Sequence, residues 1–167
     1  MCSSDLHLQK GHGVSFGDLD NDGDQDIYEV IGGWFSGDSY QNVLFENPGH
    51  ENRWITIAME GTRSNRMALG ARLKVRVATP RGPRDVYATV STGGSYGGSS
   101  LQQEIGLGDA TSIEAVEVMW PITGQTQVFR DVAMDQFIRI REGEATVTRL
   151  QRKPFRLNGS SSHEHPR

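Results

Sequence analysis

The chain has 167 residues, of which 35% are hydrophobic and 23% are charged, and its formal net charge is −4. That length suits one domain or one and a half. No stretch approaches the roughly 20 consecutive apolar residues of a transmembrane helix. The sequence has a single cysteine, Cys2, which excludes an intramolecular disulfide framework.

The first residues are followed by a strongly acidic window. The opening MCSSDL matches the translation of a common sequencing-adapter string, and we interpret residues 1–10 as a non-native or disordered start. Between residues 11 and 52 there are nine Asp or Glu residues and no Lys or Arg. Because this window has no internal counter-charge, we expect it to attract a cation.

Aspartates alternate along the stretch FGDLDNDGDQDIYE. Two unit charges about 4 Å apart repel by roughly 4 kcal/mol at an effective dielectric near 20, so a folded loop of this kind needs a cation. Ca²⁺ takes about six to eight oxygens, which alternate loop positions supply around a central glycine, here Gly23. Oxygen ligands without clustered Cys or His argue against zinc. The predicted ligands are the side chains of Asp18, Asp20, Asp22 and Asp26 and the backbone carbonyl of Asp24.

Three alternatives compete with a calcium-binding strand–loop–strand. The stretch matches the EF-hand pattern outright, with Glu29 at its last position. An EF-hand needs an entering helix, however, and Gly11, Gly13 and Gly17 precede the loop, each costing about 1 kcal/mol in a helix. A solvated acidic loop would not place acids at every second residue. Mg²⁺ keeps more water and uses fewer carboxylates than Ca²⁺.

The segment GVSFGDLDNDGDQDIYEVIGG resembles the FG-GAP or VCBS repeat, the blade unit of calcium-binding β-propellers. The resemblance covers residues 11–41. It implies a β-propeller blade, of which the sequence shows one copy. A lone repeat cannot bury its own apolar face, so the blade is expected to need a neighbour.

Farther along the chain, the apolar pattern has a period of two, which predicts half-buried strands. Gly- and Pro-containing turns such as TPRGP, GLGD and WPITG separate these runs, which favours an antiparallel sandwich. Phe129, Val132, Ala133, Gln136 and Phe137 also permit one helical turn. The inward-facing residues of the strands are predicted to be Ile55, Ile57, Met59, Leu73, Val75, Val77, Val86, Ala88, Val90, Val116, Val118, Trp120, Ile138 and Ile140.

Residues 42–144 resemble an ASPIC/UnbV domain. The matching pieces, in the family's order, are NVLFEN, SNRMALGARLKV, STGGSYGGSS, IGLGDA, VEVMWP and DQFIRIREG. Such a domain following an FG-GAP region is similar to proteins of the cartilage acidic protein family. The resemblance implies a secreted or surface calcium-binding protein without an established catalytic role. Residues 145–167 are polar, and we predict a disordered tail or linker rather than a nucleic-acid arm.

Other features of the sequence permit rival chemistry. GGSYG fits the G-x-S-x-G pattern of hydrolases around Ser95, but a glycine-rich hairpin loop is favoured, since the following residues are a poor helix. Ser64 and Asn65 are predicted to tie a turn, with Arg66 as an alternative ligand for an acidic group. Trp120 is expected to be buried at a strand end. Trp34 and Phe35 are better candidates for an exposed contact, although packing within the blade is favoured.

The sequence therefore predicts an all-β protein, in which a calcium-clamped propeller-blade fragment precedes an antiparallel β-sandwich-like domain. The expected function is non-enzymatic, calcium-dependent structure and recognition outside the cytoplasm, either extracellular, at the cell surface or periplasmic. The expected partners are Ca²⁺ and an extracellular protein or polysaccharide, with no nucleic acid and no membrane span. The alternatives are an accessory C-terminal region of a larger secreted enzyme, or a carbohydrate-binding module.

Overall fold

The computed structural model describes residues 11–33, 40–94, 97–98 and 100–157. Within those ranges the chain is all-β, with eleven strands and no helix, as the sequence predicts. None of these residues belongs to a helix long and apolar enough to cross a membrane. The strands are β1 Gly11–Gly17, β2 Asp26–Ile31, β3 Val43–Phe45, β4 Arg53–Glu60, β5 Arg72–Ala78, β6 Arg84–Thr89, β7 Gln103–Gly108, β8 Ser112–Met119, β9 Thr126–Phe129, β10 Phe137–Arg141 and β11 Thr148–Leu150.

The strands form three sheets. The first sheet is an antiparallel meander in the order β1-β2-β3. The second sheet has the order β11-β10-β4-β7, and the third has the order β6-β5-β8-β9. All neighbouring strands are antiparallel except β10 and β4, which are parallel and place Phe137 beside Thr56. The second and third sheets pack face to face as a β-sandwich.

The core of the sandwich comes from alternate residues of both sheets, because successive side chains of a strand point to opposite faces. In β4 the buried positions Ile55 and Ile57 face inward, and in β5 Leu73, Val75 and Val77 do the same. Trp120 is fully buried at the end of β8. The predicted inward faces of β4, β5, β8 and β10 are thus confirmed, while Met59, Val86 and Ala88 are partly buried against the core.

The helical turn that the sequence permits between Phe129 and Phe137 does not form. Phe129 ends β9, Phe137 begins β10, and both are buried. Between them, Asp131 and Asp135 have φ values of 57° and 54°. These left-handed conformations are incompatible with a right-handed helix. The apolar spacing instead reflects two strand ends and a buried loop residue, Val132.

Part of the segment predicted to be a disordered tail or linker, residues 145–167, forms a strand. Thr148–Leu150 form β11, which pairs with β10 so that Leu150 lies opposite Phe137. An edge strand exposes unpaired N–H and C=O groups that a short segment can satisfy without any apolar alternation of its own. Beyond β11, the backbone N–H of Phe155 donates to the carbonyl of Asp20, 2.9 Å away. Residues 158–167 lie outside the described part, as do residues 1–10.

Candidate metal centre

The acidic loop joins two antiparallel strands. β1 ends at Gly17 and β2 begins at Asp26, and these two residues are paired across the hairpin. Asn21 and Gly23 have φ values of 62° and 100°, which lets the chain curl tightly within the loop. The flanking segments are strands, so the predicted strand–loop–strand is confirmed and the helix-flanked EF-hand is excluded. Glu29, its final position, lies within β2 opposite Val14.

Three of the predicted ligands converge. Asp18, Asp20 and Asp22 each present a carboxylate oxygen, and the three oxygens lie within 4.8 Å of one another. Asp18 and Asp20 are 8% and 5% exposed, while Asp22 is open to solvent. Two buried carboxylates beside a third form a compact group of hard oxygen donors with one accessible side. This donor chemistry fits Ca²⁺ and does not fit thiolate- or imidazole-preferring metals.

Side-chain hydrogen bonds to the backbone shape the loop. The Asp18 carboxylate accepts the N–H groups of Asp22 and Gly23, both at 3.1 Å. Asp20 accepts the N–H of Asp22 at 3.3 Å, and Asp22 accepts that of Asp24 at 2.9 Å. Each carboxylate therefore holds the backbone a few residues ahead, as aspartates do in turns. These bonds accompany the convergence of Asp18, Asp20 and Asp22 on a common centre.

The electrostatics of the loop explain why a cation fits. Burial raises the pKa of Asp18 to about 6; the Gly23 N–H opposes this, and Glu104 adds to it. The pKa of Asp20 is raised by burial and then by the charge of Asp22. Burial and then Asp22 also raise the pKa of Asp24. The negative charges are thus costly on their own, and a divalent cation among them would reverse that cost.

Asp24 and Asp26 lie outside the group of three. Asp26 is 2% exposed, and its two carboxylate oxygens accept the N–H groups of Leu19 at 3.0 Å and Asn47 at 2.9 Å. Asp26 thereby clamps the loop to the chain after β3. The Asp24 side chain lies beside Gly49. That Asp24 and Asp26 also coordinate a metal stays a prediction.

The loop rests on the outer face of the second sheet, which sequence reasoning missed. Glu104 in β7 accepts the N–H of Asp18 at 3.2 Å and the side-chain amide of Gln25 at 2.8 Å. The Trp54 indole in β4 packs against Gly23 so closely that a methyl group at Gly23 would overlap the ring. No local pattern could have revealed these partners, because Glu104 is 86 residues from Asp18 in sequence.

Another buried carboxylate, which the sequence analysis also missed, lies at the opposite end of β4. Glu142 is 6% exposed. Its Oε2 accepts the N–H groups of Thr62, Arg63 and Ser64 at 2.9, 2.7 and 2.7 Å. Its Oε1 accepts the hydroxyls of Ser64 at 2.9 Å and Thr123 at 3.2 Å. Burial acts to raise the pKa of Glu142, but the combined hydrogen bonds outweigh it and lower the pKa to about 2.

The sequence also suggested other candidate sites, and the structure describes two of them, the segment 64–66 and Trp120. Asn65 accepts the N–H of Met67 at 2.9 Å, so the Asn65 part of the predicted tied turn is confirmed. The Ser64 hydroxyl does not tie the turn and donates to the distant Glu142. Arg66 is exposed and 4.0 Å from Glu60. Trp120 is fully buried and donates its indole N–H to Gln127, so it presents no stacking surface. Ser95, Trp34 and Phe35 lie outside the described residues.

The architecture defines an all-β protein in which an acidic hairpin loop is seated on a β-sandwich. The chain belongs to the ASPIC and UnbV family, which it matches over residues 61–147, just over half of its 167 residues. No curated protein matches the chain. The matched range excludes the hairpin, so the resemblance of residues 11–41 to an FG-GAP or VCBS repeat stays a prediction.

Proposed function

We propose that the chain is a non-enzymatic, calcium-binding structural and recognition module that works outside the cytoplasm. The convergence of the carboxylates of Asp18, Asp20 and Asp22 within 4.8 Å carries this proposal. Three like charges at this separation, two of them buried, are a poor arrangement for a free loop and a favourable one for a divalent cation. Asp18, Asp20 and Asp22 would hold the ion by side-chain oxygens.

The role of the metal is structural. The three carboxylates belong to one short loop between paired strands, and Asp26 ties that loop to Asn47 after β3. A cation bound to the folded loop and not to the unfolded chain stabilises the fold by mass action. For a Kd of about 10⁻⁴ to 10⁻³ M, the range of extracellular calcium modules, 10 mM Ca²⁺ contributes about 1.4–2.7 kcal/mol.

The first sheet supports a role in recognition. Register places Val14, Phe16, Ile27 and Phe45 on one face, where all four are at least 36% exposed. The opposite face carries Tyr28, Val30 and Leu44, each about 40% exposed. A small sheet that is apolar on both faces is typical of a repeat unit packed between neighbours, which supports the proposal that residues 11–41 are a propeller blade. An exposed apolar surface of this kind is also typical of a protein-binding site.

Calcium-induced thermal stabilisation tests the proposed function. We expect 10 mM Ca²⁺ to raise the melting temperature of the chain by about 3–10 °C, since about 1 kcal/mol corresponds to about 2–4 °C in a chain of this size. Asp20→Ala or Asp22→Ala should abolish that rise. Asp109→Ala, which removes an exposed aspartate in the turn after β7, is the matched control and should keep it.

If Asp20→Ala and Asp22→Ala show the same melting shift as Asp109→Ala, the ligand assignment is wrong. A parallel calorimetric titration with Ca²⁺ and Mg²⁺ separates the two ions, because a site of several carboxylates should favour Ca²⁺. Equal heats and affinities for Mg²⁺ would contradict the assignment of calcium.

A further inference from the structure

The acidic loop and the β-sandwich share a contact surface, formed by Trp54 of β4 and Glu104 of β7. Thr56 lies opposite Glu104 and Trp54 lies opposite Gly106 in the β4–β7 register. Trp54 and Glu104 therefore point away from the sandwich core, whose inward-facing neighbours in the same strands are Ile55 and Ile105. They form the platform on which the loop sits.

The packing part of this platform is the Trp54 indole. It covers Gly23, the residue whose φ of 100° sets the curl of the loop. The ring also contacts Phe137, which meets it edge to face with 5.0 Å between ring centroids. The Arg152 guanidinium lies 4.9 Å from the Phe137 ring centroid. The loop therefore rests on a ring whose position is fixed by β10 and by the segment after β11.

The electrostatic part of the platform is Glu104. Its Oε2 accepts from the Asp18 N–H and from the Gln25 side chain, one residue from each end of the loop. The same carboxylate raises the pKa of Asp18 through its negative charge. Without a cation the charges of Glu104 and Asp18 repel, whereas with a divalent cation in the loop both are attracted to it.

We propose that Glu104 and Trp54 are positioning residues that couple calcium binding in the acidic loop to the stability of the β-sandwich. The coupling rests on the proposed function, since it requires that the loop binds Ca²⁺. The cation holds Asp18, Asp20 and Asp22 together and so fixes the backbone of Gly23 against the indole. Glu104 adds negative charge near the ion and orients the N–H of Asp18. Calcium thus stabilises the second sheet as well as the hairpin.

The test compares charge-removing variants of the full chain. Glu104→Gln keeps the shape of the side chain and removes its charge. Glu117→Gln is the matched control, because Glu117 in β8 is a partly exposed carboxylate paired with Lys74 on the third sheet. By calorimetric titration we expect Glu104→Gln to bind Ca²⁺ about tenfold more weakly than wild type, since affinity follows the charge gathered around the ion. Glu117→Gln should bind as wild type does.

A second readout reports the packing contact. Calcium should change the tryptophan emission of the wild type, and Trp54→Phe should remove that change because the responding ring is the one against Gly23. The coupling is overturned if Glu104→Gln binds Ca²⁺ as tightly as Glu117→Gln, or if the emission change persists in Trp54→Phe. Either result leaves the proposed function standing when the wild type still binds Ca²⁺. A wild type that binds no Ca²⁺ overturns both proposals.

Discussion

Replacing Glu142 by glutamine removes one buried charge while keeping the shape of the side chain. The wild-type carboxylate gathers three backbone N–H groups from residues 62–64 and two hydroxyls, from Ser64 and Thr123. A glutamine oxygen can still accept the N–H groups, and its amide can face the hydroxyls. The substitution therefore tests how much the charge stabilises the junction between the loop after β4 and the end of β10.

The magnitude follows from the pKa of Glu142, which is lowered from 4.5 to about 2. At about 1.4 kcal/mol per pH unit this corresponds to about 3 kcal/mol. Thr62 and Arg63, which bond the carboxylate, are exposed, so solvent screening reduces the expected contribution to about 2 kcal/mol. A lowered pKa means that the unfolded chain takes up the proton first. The stabilisation is therefore present above pH 4.5 and is lost as the pH falls toward 2.

Urea unfolding of the wild type and of Glu142→Gln, in the absence of calcium, measures this contribution. At pH 7 the variant should be less stable by about 2 kcal/mol, and the difference should shrink steadily below pH 4.5. Glu144→Gln is the control, because Glu144 is a partly exposed carboxylate paired with Arg141, and the substitution should cost under about 0.5 kcal/mol. A Glu142→Gln difference that stays constant from pH 7 to pH 3, or that equals the control at pH 7, would refute the reasoning.

Two further predictions concern packing, and thermal or urea unfolding checks both. Gly23→Ala should destabilise the chain by about 2 kcal/mol more than Gly33→Ala. Both glycines have positive φ, a backbone conformation that costs alanine about 1–2 kcal/mol. Only at Gly23 would the added methyl group also overlap the Trp54 ring. Equal losses would contradict the seating of the loop on that ring. Ile138→Ala should cost about 2–5 kcal/mol, because Ile138 is fully buried in the core. Ile122→Ala, at a site 72% exposed, should cost under about 0.5 kcal/mol, and similar losses in the two variants would place the core elsewhere.

The contrast between β10 and β11 shows how far strand prediction reaches. The sequence predicts β10 from the period-two spacing of Ile138 and Ile140. Both isoleucines are fully buried in the structure. β11 has the sequence TRL and no such alternation. It forms because β10 leaves an edge to which its backbone can bond, a property of the sheet and not of the segment.

The amino-acid sequence alone determined the features that depend on near neighbours in the chain: the period-two strands, their inward faces, and the hairpin that gathers aspartates around Gly23. Tertiary structure decided the rest: the parallel pairing of β10 with β4, the seating of the loop on Trp54 and Glu104, and the burial of Glu142. The partners in these contacts are about 30 to 90 residues apart, and strand order and register, not any local pattern, bring them together.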